Sequence, residues 1–397
     1  MNTVESVLRR SEKDRIVPGL VAAAGSAAGF RGVWNAGTAD ADGRVPMAAN
    51  AIFRIASMAK LVTAVAVMTL VDKGQLDLDD EVTAFLPQYG DLVVAEGFGA
   101  AGPRVREPAR PATIRELMAH TAGLAYNTFD PVIDEYERVT GAPNIGSGRR
   151  DALRLPLVAD PGRRVDYGTG FDWAGLVVEA ITGRTLDIYC EQEIFGPLAM
   201  GMTSMHRPEE RGAACTPVLA VTGDNGWITA NTDFPLAPEF YFGGGCLYTT
   251  AEDYLKLLME LAAPEAQRTG ILSQASVAEI FANQSGTLDI PVMRSTRPLE
   301  SRDVDLGRGW KWGLGVALNP ADVPLRRRAG SGGWGGIFNT YFWIDPASGI
   351  AGCLFMQFLP FFDQRAIRLY NDFEAAVYAT VPNAPGTSGT SHSARCG

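Results

Sequence analysis

The strongest constraint in this sequence is a serine and a lysine, three residues apart, in front of a long apolar segment. The tetrad Ser-Met-Ala-Lys at 57–60 is followed by the apolar run 61–71, and Gly74 comes soon after its end. A run that is apolar on every side predicts a buried helix enclosed by other elements. Ser57 and Lys60 then share one face at the start of this helix, with Cβ atoms about 5–6 Å apart.

This serine and lysine supply the chemistry of acyl transfer. Burial against apolar surface lowers the pKa of a lysine, so a neutral Lys60 can take the proton of Ser57. Unpaired N–H groups at a helix N-terminus favour the negative charge that develops nearby. A serine, a base and such donors are sufficient for nucleophilic catalysis. The tetrad alone is a weak signal, and an ordinary helix start is the alternative.

Composition and charge exclude several classes of function. The 397 residues are 46% hydrophobic and 20% charged, which is typical of a globular protein with a large core. The net charge of −10 argues against a nucleic-acid partner, because phosphate binding requires a basic surface. The longest apolar run is too short to span a bilayer, and residues 1–15 lack the apolar core of an export signal. We therefore expect a cytoplasmic protein without a membrane partner, of open oligomeric state.

The cysteines and histidines give no sign of a metal, a cofactor or a conventional triad. The five cysteines show no CxxC pair, so buried free thiols in a reducing compartment are predicted. The chain contains no HExxH motif and no Gly-x-Ser-x-Gly motif. Of its three histidines, His120 is predicted to be a hydrogen-bonded structural residue, with a role in a cleft as the alternative. No metal site and no cofactor are predicted.

The order of the patterns predicts strands at both ends of the chain and helices between them. Strand-like apolar runs occupy 19–25, 29–37, 310–318, 337–344 and 349–358, with a hairpin turn at 345–348. Helices are predicted after the capping box Thr113-x-x-Glu116, at 171–181 and at 363–380. The Gly- and Pro-rich segment 92–110 is predicted to be a surface loop. The polar segment 284–308 is predicted to be a surface excursion, with a cover over the cleft as the alternative.

This order predicts a helical domain inserted into an α/β domain. The α/β domain would comprise 1–60 and 235–382, the mostly helical domain 61–234, and a flexible tail 383–397. A catalytic serine would then lie in the cleft between the two domains.

Two further segments can contribute groups to such a cleft. Tyr167 lies in a polar, glycine-flanked loop, and a neighbouring lysine would shift its phenol toward phenolate, as suits a proton shuttle. A structural tyrosine is the alternative. The glycine-rich segment 330–336 precedes the strand that begins at Ile337. Glycines permit close approach, so the backbone N–H of Ile337 is a candidate oxyanion donor, and a tight hairpin is the alternative.

These motifs together resemble those of class C β-lactamases and penicillin-binding proteins, and most of all their esterase relatives, the family VIII carboxylesterases. The similarity rests on the tetrad at 57–60, Tyr-Gly-Thr at 167–169 and Trp-Gly-Gly at 334–336, in that order. Family-like blocks also occur at 53–56, 77–87, 113–124 and 243–245. The resemblance covers residues from about 17 to about 380.

The resemblance implies an α/β (α+β) fold of the β-lactamase/transpeptidase type, an antiparallel sheet flanked by helices with an inserted, mostly helical domain. It also implies that Ser57 is the nucleophile and forms an acyl-enzyme. Lys60 and Tyr167 would be the proton-transfer groups, with the base of each half-reaction left open. The backbone N–H groups of Ser57 and Ile337 would form the oxyanion hole.

Two departures from the family pattern point to esters as substrates. Trp334-Gly335-Gly336 stands where β-lactamases carry Lys-Thr-Gly, so the ammonium and hydroxyl that hold a substrate carboxylate are missing. A tryptophan there would present an apolar wall to a neutral acyl or alkyl group. Thr169 replaces the asparagine of Tyr-x-Asn. The residues predicted to bind substrate are Tyr126, Tyr241, Trp334, Gly335 and Gly336.

The sequence therefore predicts a serine carboxylesterase that cleaves small-molecule esters with small or medium acyl groups. Alternatives on the same scaffold are an acyltransferase or transesterase, an amide or oligomer hydrolase, and a weak β-lactamase. A catalytically inactive binding protein is the alternative outside enzymes, although it would have no physical need for Ser57, Lys60 and Tyr167 together.

Overall fold

Helices and antiparallel strands make up the structure, a computed structural model that describes residues 3–100, 102–223, 226–232 and 234–381. The α-helices are α1 (Val4–Lys13), α2 (Ala59–Asp72), α3 (Ile114–Met118), α4 (Pro131–Thr140), α5 (Gly170–Thr182), α6 (Leu186–Cys190), α7 (Ala251–Ala262), α8 (Gln274–Ile280) and α9 (Gln364–Thr380). The strands are β1 (Gly19–Ser26), β2 (Arg31–Gly37), β3 (Phe53–Arg54), β4 (Val94–Gly99), β5 (Gly102–Arg106), β6 (Leu219–Val221), β7 (Trp227–Thr229), β8 (Tyr248–Thr249), β9 (Lys311–Trp312), β10 (Ala317–Leu318), β11 (Gly332–Gly336), β12 (Thr340–Asp345), β13 (Ile350–Phe355) and β14 (Phe358–Leu359).

A seven-stranded sheet joins the two ends of the chain. Its order is β2-β1-β13-β12-β11-β10-β9, and every neighbouring pair is antiparallel. The N-terminal hairpin therefore completes a sheet made otherwise of C-terminal strands. The hairpin turn predicted at 345–348 is present, because Asp345 pairs with Ile350 at the ends of β12 and β13. The predicted fold class is confirmed.

Helices cover both faces of this sheet. Phe342 and Trp343 are consecutive residues of β12, so their side chains point to opposite faces. Phe342 packs on Tyr254 of α7, with ring centroids 5.7 Å apart. Trp343 packs on Phe373 of α9, with centroids 5.6 Å apart. The amphipathic α9, predicted at 363–380, thus buries its apolar face on the sheet.

The helix α2 is enclosed as its apolar sequence predicts. All its residues from Ala59 to Leu70 are buried, and α5, α6 and α8 pack around it. The chain leaves this helix at Gly74, whose φ of +65° suits a glycine. A short 3₁₀ turn, Ala56–Met58, leads into the helix and carries Ser57.

Some local expectations were wrong or lie beyond the described residues. The segment 92–110 is not a loop throughout, because β4 and β5 form a hairpin in it. Gly97 and Gly102 have φ of +112°, so glycine here permits a bulged hairpin where composition indicated irregular chain. The run 310–318 contains only the short strands β9 and β10. The tail predicted at 383–397 lies outside the described residues, and the domain boundaries stay a prediction.

Two further sequence-based points concern the described residues only. Cys190, Cys246 and Cys353 are buried thiols without a disulfide. Within the same ranges, every helix is too short or too polar to cross a lipid bilayer.

Candidate active site

Ser57 lies at the mouth of α2 and faces a cavity of about 440 Å³. The residue before it, Ala56, has φ +45°, a left-handed conformation that costs a non-glycine residue about 1 kcal/mol. The backbone therefore turns sharply at the serine. This turn leaves Ser57 partly exposed while its neighbours Ala56 and Met58 are buried.

Lys60 is the buried residue whose amine contacts this serine. Its side chain is 0% exposed, and its Nζ donates hydrogen bonds to Ser57 Oγ at 3.1 Å, Tyr126 Oη at 3.1 Å and Gly244 O at 2.8 Å. Burial lowers the pKa of Lys60 to about 7, and the negative charge of Asp172 opposes that fall. A neutral amine is therefore accessible near neutral pH, beside the serine whose proton it can accept.

Tyr167 reaches the same serine from the loop before α5. Its Oη accepts a hydrogen bond from Trp334 Nε1 at 2.9 Å. Burial raises the pKa of Tyr167, and hydrogen bonding to Ser57 and Trp334 only partly offsets it. The expectation of a shift toward phenolate is therefore wrong. Lys60 Nζ lies 4.8 Å from the centre of the Tyr167 ring, but burial remains the largest effect on the pKa of this phenol.

His120 packs against the ring of Tyr167 and contacts the backbone of the next residue, Gly168. The two rings lie 4.7 Å apart, and His120 Nδ1 accepts a hydrogen bond from the backbone N–H of Gly168 at 3.4 Å. Burial, with the nearby Lys60, holds the pKa of His120 well below its usual value, so the ring is neutral. The structure thus agrees with a structural histidine.

Two backbone amides form the candidate oxyanion hole. Ser57 and Ile337 both line the cavity, and within the described ranges neither backbone N–H donates a hydrogen bond. Gly336 explains how the strand comes so close: a Cβ at this position would lie 2.1 Å from Ile55 O. Only glycine lets β11 pack against the chain just ahead of Ser57.

The predicted substrate-binding residues divide into two groups. Tyr126 and Gly335 line the cavity. Gly336 serves backbone packing instead. Tyr241 lies outside the cavity lining, so its predicted role is wrong. Its hydroxyl bonds His206 Nδ1 at 2.9 Å, and His206 Nε2 in turn bonds Asp187 at 2.8 Å.

The prediction for Trp334 is also wrong. Its ring does not line the cavity that holds Ser57, but packs 5.1 Å from Tyr167 and 4.7 Å from Trp312. Strand alternation places the indole on this side of β11, where its N–H meets the Tyr167 hydroxyl. Trp334 therefore orients a candidate catalytic group and does not form an apolar wall for the substrate.

Sequence reasoning missed Asp172 and the role of Gly244. Asp172 is 0% exposed in the first turn of α5, and its Oδ1 accepts a hydrogen bond from Gly244 N at 2.7 Å. Burial raises the pKa of Asp172 to about 6, against the opposing effect of Lys60. The available signal was a carboxylate between Phe171 and Trp173 at the start of an apolar helix.

The cavity is mostly apolar with a polar rim. Its apolar wall includes Phe129, Phe234, Phe242, Phe338 and Phe361. Arg297 and Glu300 at its edge come from the segment 284–308, which Thr296 N ties to Thr128 O at 2.9 Å. Part of this segment therefore borders the cleft. In the ranges that the structure describes, no cluster of His, Cys, Asp or Glu is arranged to hold a metal ion.

The glycines of β11 pack an antiparallel sheet against the turn that carries Ser57, and Lys60 lies at the start of the buried helix that follows. This arrangement defines a class: β-lactamase-like serine hydrolases. Residues 4–377 match the family model described as Beta-lactamase. The chain belongs to the β-lactamase family, which confirms the superfamily that the motifs indicated.

Several known proteins are similar over most of the chain. Monacolin J acid methylbutanoyltransferase of Aspergillus terreus is 30% identical over 400 residues, covering 95% of each chain. Lovastatin esterase of Penicillium rubens is 27% identical and covers 77% of this chain and 79% of its own. The structure of unliganded simvastatin synthase from Aspergillus terreus matches with a TM-score of 0.79 at 27% identity, covering 96% of this chain and 98% of that one. Relatives thus include both an acyltransferase and an esterase.

Proposed function

We propose that this protein cleaves carboxylic esters of small to medium acyl groups through an acyl-enzyme on Ser57. The observation that carries this proposal is the 3.1 Å contact between Ser57 Oγ and the buried amine of Lys60, beside a cavity of about 440 Å³. A buried amine with a pKa of about 7 suits general-base catalysis, because a catalytic pKa works best near the operating pH.

The side chains suggest a division of roles. Lys60 accepts the Ser57 proton as Oγ attacks the ester carbonyl carbon, and the N–H groups of Ser57 and Ile337 stabilise the oxyanion. When the tetrahedral intermediate collapses, the leaving alcohol oxygen takes a proton from the neutral phenol of Tyr167. The proton held by Lys60 restores that phenol, so the net transfer runs from Ser57 to the alcohol. Deacylation repeats these transfers with water as the nucleophile.

The cavity supports a neutral ester over a β-lactam. The five phenylalanines of its wall favour apolar groups, and Trp334-Gly335-Gly336 offers no ammonium or hydroxyl to a substrate carboxylate. Arg297 at the rim is paired with Asp134 at 2.7 Å. Burying a substrate carboxylate without a partner would be costly. This argument rests on the missing groups rather than on an apolar Trp334 wall.

Acyl transfer is the second candidate, favoured by the relatives. A methylbutanoyltransferase and a lovastatin esterase both resemble this chain over most of its length. The two activities share one acyl-enzyme and differ only in whether an alcohol or water takes the acyl group. The same site therefore serves either function, and the acceptor decides between them.

Intact-protein mass spectrometry tests the proposal. After incubation with p-nitrophenyl butyrate, we expect a transient butyryl adduct on Ser57, rapid p-nitrophenol release and slow loss of nitrocefin. A rise in turnover on adding a neutral alcohol, with formation of the new ester, would indicate acyl transfer. Rapid nitrocefin hydrolysis would contradict the ester preference. No adduct and no turnover with either reagent would point to a narrow amidase or a non-catalytic binder.

Trp334→Phe tests the orientation of Tyr167. The change removes the N–H that donates to Tyr167 Oη at 2.9 Å and keeps an aromatic ring. Since a hydrogen bond contributes about 1 kcal/mol, we expect kcat for p-nitrophenyl butyrate to fall about 5- to 10-fold with little change in KM. Steady-state kinetics of the parent and the variant measure this effect. Trp227→Phe is the control, because Trp227 lies outside the cavity lining. A raised KM with kcat unchanged would instead place Trp334 against the substrate.

A further inference from the structure

We propose that Asp172 is a positioning residue of this site: its buried carboxylate anchors Gly244 and fixes the charge state and placement of the Lys60 amine. Only one consequence of this proposal, the expected change in the pH dependence of ester cleavage, rests on the proposed function. With Asp172 included, the site contains a nucleophile, a base, a phenol and a buried acid. The sequence motifs contain only the first three of these groups.

One glycine connects the acid to the base. Gly244 donates its N–H to Asp172 Oδ1 at 2.7 Å, and its carbonyl accepts from Lys60 Nζ at 2.8 Å. A Cβ on Gly244 would lie 2.8 Å from Asp172 Oδ1 and 2.8 Å from Tyr126 Oη. The acid and the tyrosine therefore crowd around a residue that must be glycine. Lys60 Nζ also donates a hydrogen bond to Tyr126 Oη at 3.1 Å, so the lysine contacts both the glycine and the tyrosine that lie beside Asp172.

A structural role at the start of α5 accounts for one oxygen of the Asp172 carboxyl but not for its charge. An acidic residue in the first turn of a helix is favoured by the helix dipole, and Oδ1 satisfies the Gly244 N–H. An asparagine would satisfy that N–H equally well. The Tyr126 hydroxyl is the other hydrogen-bonding group beside the carboxyl and lowers its pKa, and apart from it Oδ2 is buried without a partner among the described residues. Keeping a charge there requires a compensating cation, and Lys60 supplies it.

The neighbouring titratable groups do not replace Asp172. The groups that interact electrostatically with the pair are Tyr126, Tyr167, His120 and Cys246. Burial favours the neutral form of each one. Burial lowers the pKa of Lys60, and Asp172 is the group that opposes the fall. Removing its charge must therefore lower the Lys60 pKa further.

Asp172→Asn tests the proposal, because it keeps the acceptor for Gly244 and removes the charge. The chain has five lysines, Lys13, Lys60, Lys73, Lys256 and Lys311, so [6-¹³C]lysine NMR is tractable, and Lys60→Arg identifies the Lys60 signal. We expect the midpoint of the Lys60 titration to move about one pH unit or more downward. The acid limb of the kcat/KM profile should move with it, since only the neutral amine accepts the serine proton.

Asp253→Asn is the matched control. Asp253 is also buried in the first turn of a helix, accepts a backbone N–H from Met202 at 2.6 Å, and pairs with Lys256 at 2.6 Å. It lies outside the cavity lining. This variant should disturb the Lys256 signal and leave both the Lys60 titration and the acid limb unchanged. If Asp172 had a purely structural role, Asp172→Asn would also leave the Lys60 titration and the acid limb unchanged and would lower only the stability of the fold.

Two results would overturn the proposal. One is a folded Asp172→Asn protein whose Lys60 midpoint matches that of the parent. The other applies if the variant does not fold: the parent Lys60 signal should show a second, smaller step where Asp172 ionises, and a single step would contradict the coupling. The NMR titration does not depend on activity. A parent that shows the coupling but cleaves no ester would refute the proposed function and leave the role of Asp172 standing.

Discussion

Ser57→Ala is expected to lower kcat for ester cleavage by about 10,000-fold or more and to abolish the acyl adduct. The change removes the hydroxyl that the proposed mechanism assigns as nucleophile, and it leaves Lys60 Nζ in contact with Tyr126 Oη and the Gly244 carbonyl. Ser57 Oγ faces the cavity, so its loss leaves the packing of α2 intact. We expect a melting temperature within a few degrees of the parent, measured by scanning calorimetry.

The comparison for this prediction is Ser331→Ala, in the glycine-rich segment before β11. Ser331 is buried, and its hydroxyl has no hydrogen-bond partner within the described ranges. This variant should retain most of the activity. An acyl adduct that persists on the Ser57→Ala protein would show that another nucleophile does the work. A binding protein, in contrast, would keep its ligand affinity after the same change.

Lys60→Met is expected to lower kcat/KM by about 1,000-fold, within the range that general-base catalysis contributes. Methionine fills similar space without a titratable group. Lys60→Arg should be as inactive as Lys60→Met, because a guanidinium keeps its proton and cannot act as a base. Lys73→Met, which removes a half-exposed lysine paired with Glu193, should leave ester turnover unchanged. An arginine variant with a tenth or more of the parent activity would contradict the base assignment.

Lys60→Met should lose activity without a large loss of stability. It lacks the hydrogen bond to Gly244 O, but it no longer has to bury an amine. We therefore expect the unfolding free energies of Lys60→Met and the parent to agree within about 2 kcal/mol at pH 7. An unfolded lysine keeps its proton to about pH 10.4, whereas Lys60 releases it at about 7. The unfolded chain thus binds more protons between these values, so this lysine makes the parent more stable as pH rises through that window. Denaturant titrations should show that Lys60→Met lacks this gain.

The sequence determined the local parts of the site. Ser57 and Lys60 meet because three residues along a helix place side chains on one face, and the apolar run that follows requires burial. The capping box of Thr113 and Glu116 formed as predicted. Strand-like apolar runs at both chain ends, assigned to one α/β domain, indicated a sheet that joins them. The family followed from the order of the motifs, because spacing and residue type are visible in the sequence.

Residue type alone could not show which way a side chain points across the cleft. Trp334 and Tyr241 were both aromatic candidates for the substrate wall, but strand register turns one toward Tyr167 and a loop takes the other to His206. Tyr126 was expected to line the cavity, and it does, but its hydroxyl also contacts Lys60 at 3.1 Å. Such contacts join residues far apart in the chain, and no local pattern encodes them.

The electrostatics of the site were decided by tertiary burial. A phenol near a lysine was expected to shift toward phenolate, yet enclosure raises the pKa of Tyr167 because desolvation penalises the charged form. Enclosure likewise brings Asp172 to Lys60 through the backbone of Gly244, 184 residues along the chain from Lys60. The sequence by itself determined that the candidate nucleophile and the candidate base lie side by side, since the helix repeat is local. Only the tertiary structure decided their charge states, because those depend on how completely the rest of the chain excludes water.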